Sequence, residues 1–179
     1  MARVVAVNDG RSKRRPPMMP VAAAASPAHL CDLNRPPRIV LIDDESFMVE
    51  AVGMMLAMHL PQAKLLAFRN RDTGWQELLR TDPDLLITDM NNHNVPGRTE
   101  SLGMSGWDLL PLLTQRAVGY PILVVSGSFS LPGFEDRARA LAGPNLNITF
   151  MTKPFEVEFF QLEVKRLLSG GGMKGKSES

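Results

Sequence analysis

The sequence predicts an α/β fold in which helices cover both faces of a parallel sheet. Short apolar runs rich in branched side chains alternate with helical patterns over residues 38–168. Each run is continuously apolar, which is typical of strands buried on both faces. The helices between them supply the crossovers that consecutive parallel strands require.

Five apolar runs are interpreted as strands. They are 39–42, 64–68, 85–88, 122–125 and 148–151. Right-handed crossovers limit how such strands can be ordered. The flavodoxin-like order 2-1-3-4-5 is the commonest one at this size, and we expect it here.

A helix follows each predicted strand. Apolar residues at helical spacing define them: Met48, Val52, Met55 and Leu56; Trp75, Leu78 and Leu79; Leu109, Leu112 and Leu113; a short fourth helix at 134–142; and Val157, Phe160, Val164 and Leu167. The third helix is predicted to begin near Gly106. Pro111 fits best in its first turn, where the missing N–H costs little.

Both ends of the chain are predicted to lie outside the folded domain, which we assign to residues 38–168. Residues 1–37 are basic and rich in proline and alanine, and 169–179 are rich in glycine and serine, as disordered tails are. The net charge of +1 gives no argument for nucleic acid or an anionic membrane. No apolar run reaches the roughly 20 residues that span a bilayer. Because Cys31 is the single cysteine, no internal disulfide forms, and we expect a cytoplasmic protein.

Acids, a hydroxyl and a lysine stand at the ends of four predicted strands. Asp43 and Asp44 follow the first strand, Asp89 the third and Ser126 the fourth, while Lys153 comes shortly after the fifth. In a parallel sheet these ends share one edge, and ligands bind there near the switch point between strands 1 and 3. The topology therefore predicts that these five side chains converge.

This cluster carries more negative charge than one lysine offsets. Two carboxylates about 4 Å apart repel by roughly 4 kcal/mol at an effective dielectric of 20. Mg²⁺ relieves such repulsion and favours carboxylate, carbonyl and water ligands. With the metal bound, Asp89 stays ionised and can attack a phosphoryl group, whose oxygens Lys153 and Ser126 would bind. The sequence predicts a Mg²⁺ site and no organic cofactor.

Four segments together resemble the signature of the receiver domain of two-component response regulators, of the stand-alone kind known from chemotaxis. They read Ile-Asp-Asp-Glu at 42–45, Leu-Ile-Thr-Asp at 86–89, Val-Val-Ser-Gly at 124–127 and Thr-Lys-Pro-Phe at 152–155. Each is weak alone, but all four occur in the family's order. The resemblance covers residues 38–168.

The resemblance implies an acceptor and a metal site. Asp89 would accept a phosphoryl group from a phosphohistidine on a histidine kinase or phosphotransfer protein. Asp44 and Asp89 would bind Mg²⁺ directly, Asp43 through water and Asn91 through its backbone carbonyl. Lys153 would hold the phosphate.

The resemblance also implies a switch. Ser126 would move toward the phosphate and carry the following loop with it, and Phe150 would swing inward. The Lys153-Pro154 peptide bond would be cis, which proline makes inexpensive.

Two stretches depart from the family's pattern. Receivers reach the glycine that opens the third helix about eight residues after the acceptor, a short connection, whereas Gly106 comes 17 positions after Asp89. Most of 92–105 is therefore an insertion beside the predicted site. Pro132 should shorten or displace the fourth helix, part of the surface that receivers use to dimerise or signal.

The leading interpretation is a single-domain response regulator that switches a protein-binding surface. Its only expected catalysis is its own phosphorylation from a phosphodonor and its own dephosphorylation. Only a short tail follows residue 168, so we expect no DNA-binding domain. A homodimer through the last two strand–helix units is a further expectation, and the downstream protein is unknown.

Two alternatives stay open. One is a receiver-like adaptor that works without phosphorylation because the insertion blocks access. The other is a Mg²⁺-dependent phosphohydrolase with an aspartyl-phosphate intermediate. Enzymes of the haloacid dehalogenase type would need a second aspartate two positions after the nucleophile, where this chain has Asn91.

Overall fold

Five parallel strands form the centre of the structure. The computed structural model describes residues 5–6, 35–90 and 103–170. The strands are β1 (Arg38–Ile42), β2 (Lys64–Phe68), β3 (Leu85–Asp89), β4 (Ile122–Ser126) and β5 (Ile148–Thr152). They pair in the order β2-β1-β3-β4-β5, and every pair is parallel. The predicted order 2-1-3-4-5 is confirmed.

Helices cover both faces of this sheet, as predicted. They are α1 (Ser46–His59), α2 (Arg71–Arg80), α3 (Gly106–Gln115), α4 (Phe134–Ala142) and α5 (Val157–Leu168). Residues of α1 and α5 belong to one hydrophobic core, and residues of α2, α3 and α4 to the other. Among the helices described, none has the length and apolar character needed to cross a membrane.

The strands are apolar throughout because they divide their side chains between the two cores. In β1, Val40 and Ile42 belong to the core under α2 and α3, while Ile39 and Leu41 belong to the core under α1 and α5. Burying a side chain of this size stabilises the fold by about 1.5–3 kcal/mol. This two-sided burial fixes β1 in the interior of the sheet, between β2 and β3. The residues that follow β1 therefore lie where the carboxyl ends of the strands meet.

Helix α3 differs in detail from expectation, whereas α4 lies where it is predicted. Pro111 is the sixth residue of α3, in its second turn and not in its first. Leu110 is buried with Leu109 and Leu113, whereas Leu112, predicted to point inward, is half-buried. Helix α4 has only nine residues, and a 3₁₀ turn (Gly127–Ser130) precedes it. Its bounds are those predicted for the short fourth helix, 134–142.

Two described features lie outside the predicted bounds of the domain, 38–168. Val5–Ala6 forms a short parallel strand on β2, opposite Leu66 and Ala67, and adds a sixth strand at that edge of the sheet. A two-residue strand has no periodicity from which it could be predicted.

Arg35 also belongs to the fold, although it lies within the predicted tail. Its guanidinium donates two hydrogen bonds, of 2.8 and 2.7 Å, to the carboxylate of Asp84. The Asp84 carboxylate is buried, and it also accepts the backbone N–H of Arg38 at 2.7 Å. A bidentate pair of this kind satisfies a buried carboxylate at the amino end of β3, so the domain begins by residue 35.

Candidate functional site

The register of the strands brings the predicted site residues to one edge. Ile42 of β1 pairs with Thr88 of β3. Asp43, the first residue after β1, therefore lies beside Asp89, the last residue of β3. Strand β4 lies next to β3 and ends in Ser126, and β5 pairs with β4 through Thr152, one residue before Lys153. The predicted convergence therefore follows directly from the strand order.

Asp43 is buried and hydrogen-bonded at both oxygens. Its Oδ1 accepts the backbone N–H of Glu45 at 2.9 Å, and its Oδ2 accepts Lys153 Nζ at 2.9 Å. Burial raises the pKa of Asp43, and the hydrogen bond and charge of Lys153 only partly counteract it. Lys153 thus offsets only part of the cost of burying the ionised Asp43 carboxylate.

Lys153 faces three carboxylates. Besides Asp43, its Nζ lies 3.3 Å from Glu45 Oε2 and 3.6 Å from Asp89 Oδ1. Burial by itself would lower the pKa of Lys153, but the charges of Asp89, Asp43 and Glu45 raise it above its ordinary value. The lysine is therefore held in its charged form. The peptide bond between Lys153 and Pro154 is cis, as predicted.

Asp89 has a cation on each side. Its side chain is buried at the end of the central strand, with Lys153 near Oδ1 and Arg71 Nη2 3.5 Å from Oδ2. Arg71 Nη2 also donates to the Asp89 backbone carbonyl at 3.2 Å and lies 3.8 Å from Asp44 Oδ1. The nucleophile predicted from sequence thus lies between two cations and close to the other acids of the site.

Arg71 was not predicted. It is the first residue of α2, three residues after β2 ends at the same edge of the sheet. Residues that follow the second strand reach the same edge of the sheet as the predicted site residues, so the same rule applies to Arg71. Two arginines, Arg69 and Arg71, follow that strand, and cations there are the signal that was overlooked.

The residues fit a divalent metal ion. Asp43, Asp44 and Asp89 each offer an oxygen within 4.8 Å of the others, and hard carboxylate oxygens are what Mg²⁺ prefers. Asp44 Oδ1 is buried and accepts no hydrogen bond from the residues that the structure describes. Together with Glu45, these acids carry four negative charges against the two cations described above. The excess equals the charge of one Mg²⁺.

Asn91, the fourth predicted metal ligand, lies outside the described residues, as does the inserted stretch 92–102. Its role stays a prediction.

Ser126 and Phe150 are joined through the 3₁₀ turn that follows β4. The Ser126 hydroxyl is buried and accepts the backbone N–H of Ser128 at 3.2 Å, which caps the turn. Phe129, within the turn, packs edge-on against the Phe150 ring with 5.1 Å between centroids. The Phe150 ring also contacts Arg139, whose guanidinium lies 4.6 Å from the ring centroid. Phe150 is half-buried in this structure.

Gly106 lets α3 begin directly against the end of β3. A Cβ at this position would lie 2.7 Å from Met90 Cα and 2.9 Å from the Asp89 carbonyl oxygen. Real Cβ atoms do not approach backbone so closely, so a side chain would push α3 away from the strand that carries Asp89.

Gly106→Ala is therefore expected to destabilise the protein by about 1–3 kcal/mol, as overpacking does, although alanine favours a helix interior over glycine by about 0.5–1 kcal/mol. Gly103→Ala is the matched control, because among the described residues its Cβ would meet only the flexible end of the Asp72 side chain, at 3.1 Å. Denaturant unfolding measures both free energies. Equal stability of the two variants would contradict the close approach at Gly106.

Comparison with models of protein families and with curated protein sequences finds no match. Solved structures match well. The receiver domain of a signal transduction histidine kinase from Syntrophus aciditrophicus superposes with a TM-score of 0.59 at 23% identity, covering 80% of this chain and 97% of that domain. The chemotaxis protein CheY4 of Vibrio cholerae gives 0.57 at 17% identity, covering 74% and 99%.

A third match is the receiver domain of an HD domain-containing protein from Pseudomonas fluorescens, with a TM-score of 0.57 and 20% identity over 75% of this chain and 95% of that one. These neighbours come from proteins of different kinds, yet all are signal receiver domains. At such identities the likeness establishes the fold, and the chemistry has to rest on the residues at the site. This chain has the receiver fold.

Proposed function

We propose that this protein is a single-domain response regulator that accepts a phosphoryl group on Asp89. The observation that carries the proposal is the position of Asp89, buried at the end of the central strand among Asp43, Asp44 and Lys153. A carboxylate that lies close to a lysine and beside two acids able to hold a metal ion is equipped for nucleophilic attack on phosphorus.

The reaction follows from these positions. A carboxylate oxygen of Asp89 attacks the phosphorus of a phosphohistidine, the P–N bond breaks, and the imidazole nitrogen of the donor takes up a proton. Lys153, 3.6 Å from Asp89 Oδ1, pairs with an oxygen of the transferred group. Water later attacks the same phosphorus, which releases inorganic phosphate and restores the carboxylate.

Mg²⁺, when bound, neutralises the charge of the phosphoryl group as it approaches the acids. Asp44 and Asp89 would hold it directly, Asp43 through water, and Asn91 through its backbone carbonyl. Asp43 also keeps Lys153 in place through the 2.9 Å hydrogen bond between them. The acids therefore serve both the metal and the phosphate-binding lysine.

Ser126 and Phe150 form the proposed switch. To reach a phosphoryl oxygen, the Ser126 hydroxyl must give up the backbone N–H of Ser128, which it accepts at 3.2 Å. That change alters the 3₁₀ turn, and Phe129 of the turn packs on the Phe150 ring. A charged modification of Asp89 thus acts on a packed aromatic pair at the surface of α4 and β5.

The proposed partners are a histidine kinase or phosphotransfer protein as phosphoryl donor and one further protein that recognises the switched surface. The proposal keeps the expected cytoplasmic location. It also keeps the homodimer through the last two strand–helix units. Val157, Phe159 and Leu162 of α5 are exposed apolar residues that favour a contact on this side.

The test uses a small phosphodonor such as an acyl phosphate, with Mg²⁺ present. Phosphate retained on the chain and phosphate released are measured, and the mass of labelled and unlabelled protein in solution reports dimerisation. Wild-type protein is expected to be labelled stably, and Asp89→Asn to lose the label. Asp84→Asn, which changes a buried carboxylate at the other end of β3, is the matched control and should be labelled.

Each alternative gives a different result. A wild-type chain that takes up no phosphate would overturn the proposal and favour the adaptor. Rapid multiple turnover on a phosphoester would favour the phosphohydrolase instead. Label that persists in Asp89→Asn would place the acceptor elsewhere.

A further inference from the structure

Arg71 stands where a metal ion would be held. Its Nη2 lies 3.5 Å from Asp89 Oδ2 and 3.8 Å from Asp44 Oδ1. These two carboxylates are the direct metal ligands of the proposed function, on which this inference rests. The guanidinium is therefore the cation that faces the pair in this structure.

The Arg71 side chain is held in this position. Only 9% of it is exposed, and Nη2 donates to the Asp89 backbone carbonyl at 3.2 Å. The backbone of Arg71 is fixed as well, because Asn70 caps α2 by accepting the N–H of Thr73 at 3.1 Å. A guanidinium is charged at every accessible pH.

A metal ion on the same carboxylates would meet this charge at short range. Mg²⁺ binds oxygen at about 2.0–2.1 Å. An ion bound to Asp89 Oδ2 would therefore lie no more than about 5.6 Å from Nη2, given the 3.5 Å between that nitrogen and the oxygen. Two cations at such a distance repel, and the pocket is too buried for water to screen them well.

We propose that Arg71 is a built-in competitor of the metal ion: it offsets part of the negative charge of the Asp44–Asp89 pair in the metal-free protein and is displaced when Mg²⁺ binds. Magnesium affinity is then set low by this chain's own side chain. Phosphoryl acceptance would then require a higher Mg²⁺ concentration than the same acids would require without Arg71.

The test measures Mg²⁺ binding directly, by calorimetry without a phosphodonor. Arg71→Gln removes the charge and keeps a polar side chain, and its Kd for Mg²⁺ is expected to fall by at least about tenfold. Arg71→Lys keeps the charge and should stay within about threefold of wild type.

Arg69→Gln is the matched control. Arg69 lies two residues earlier, is exposed, and donates to the backbone carbonyl of Asp44 at 3.4 and 3.5 Å. Removing its charge should change the Kd by less than about threefold, because an exposed charge is screened. If Arg71→Gln binds Mg²⁺ no more tightly than Arg69→Gln, the proposal is wrong.

A second measurement needs no variant. In wild-type protein labelled with ¹⁵N-arginine, Mg²⁺ should shift the side-chain Nε–H resonance of Arg71 more than that of Arg69. Saturation with Mg²⁺ that leaves the Arg71 signal unmoved would overturn the proposal even where Arg71→Gln fails to fold. The phosphodonor experiment is separate: tighter Mg²⁺ binding by Arg71→Gln without labelling of the wild type supports the competitor and refutes the proposed function.

Discussion

Replacing Lys153 by methionine is expected to reduce phosphoryl labelling of Asp89 by at least about 100-fold, the usual loss when a positioned charge is removed from a buried reacting centre. Lys153 Nζ is 3.6 Å from Asp89 Oδ1 and 2.9 Å from Asp43 Oδ2. Without it, a transferred phosphoryl group would enter a cluster of acids with no lysine to meet its oxygens. The initial rate of labelling from an acyl phosphate measures the effect.

Two measurements separate this effect from others. Lys165→Met removes the same charge from an exposed position on α5 and should label like wild type. Mg²⁺ affinity of Lys153→Met should be no weaker than that of wild type, because the change makes the site more negative. Labelling of Lys153→Met at the control's rate would exclude Lys153 as the phosphate-binding residue.

The fold and most of the site were predictable because strands buried on both faces leave a clear sequence pattern. Five apolar runs located the strands, and a parallel sheet brings the residues after them to one edge. Asp43, Asp89, Ser126 and Lys153 meet there for that reason. Chain size and crossover handedness predict the strand order. The register of that sheet then places these residues next to one another.

What escaped prediction depends on contacts between side chains distant in sequence. Arg71 reaches Asp89 across 18 positions, and Arg35 reaches Asp84 across 49. Neither pairing can be seen in the local sequence, because the two partners lie far apart in the chain. Val5–Ala6 is too short for any periodicity. Local signals find elements and strand ends, whereas charge compensation becomes visible only in three dimensions.

The second large effect that we expect is on stability, because Lys153 compensates the buried charge of Asp43 only in part. Asp43→Asn should raise the free energy of unfolding at pH 7 by about 0.5–2 kcal/mol, the usual size of a single stabilising substitution. The pKa of Asp43 is raised, chiefly by burial, so the folded state disfavours the ionised form more than the unfolded state does. Asparagine keeps the shape and removes that cost. The same change should weaken Mg²⁺ binding, which calorimetry measures.

The pH dependence of stability tests the sign of this effect. A raised folded-state pKa means that ionised Asp43 costs stability fully above that pKa, and costs nothing below the unfolded value of 3.8. The advantage of Asp43→Asn over wild type should therefore shrink as pH falls toward 3.8. Asp108→Asn is the opposite control, because hydrogen bonds with Ser105 lower the pKa of Asp108. It should cost roughly 0.3–1.5 kcal/mol at pH 7, as losing a helix cap does, and this loss should vanish only below 3.8. A wild type more stable than Asp43→Asn at pH 7 would contradict this prediction, because it would mean that the hydrogen bond and charge of Lys153 outweigh the cost of burying ionised Asp43.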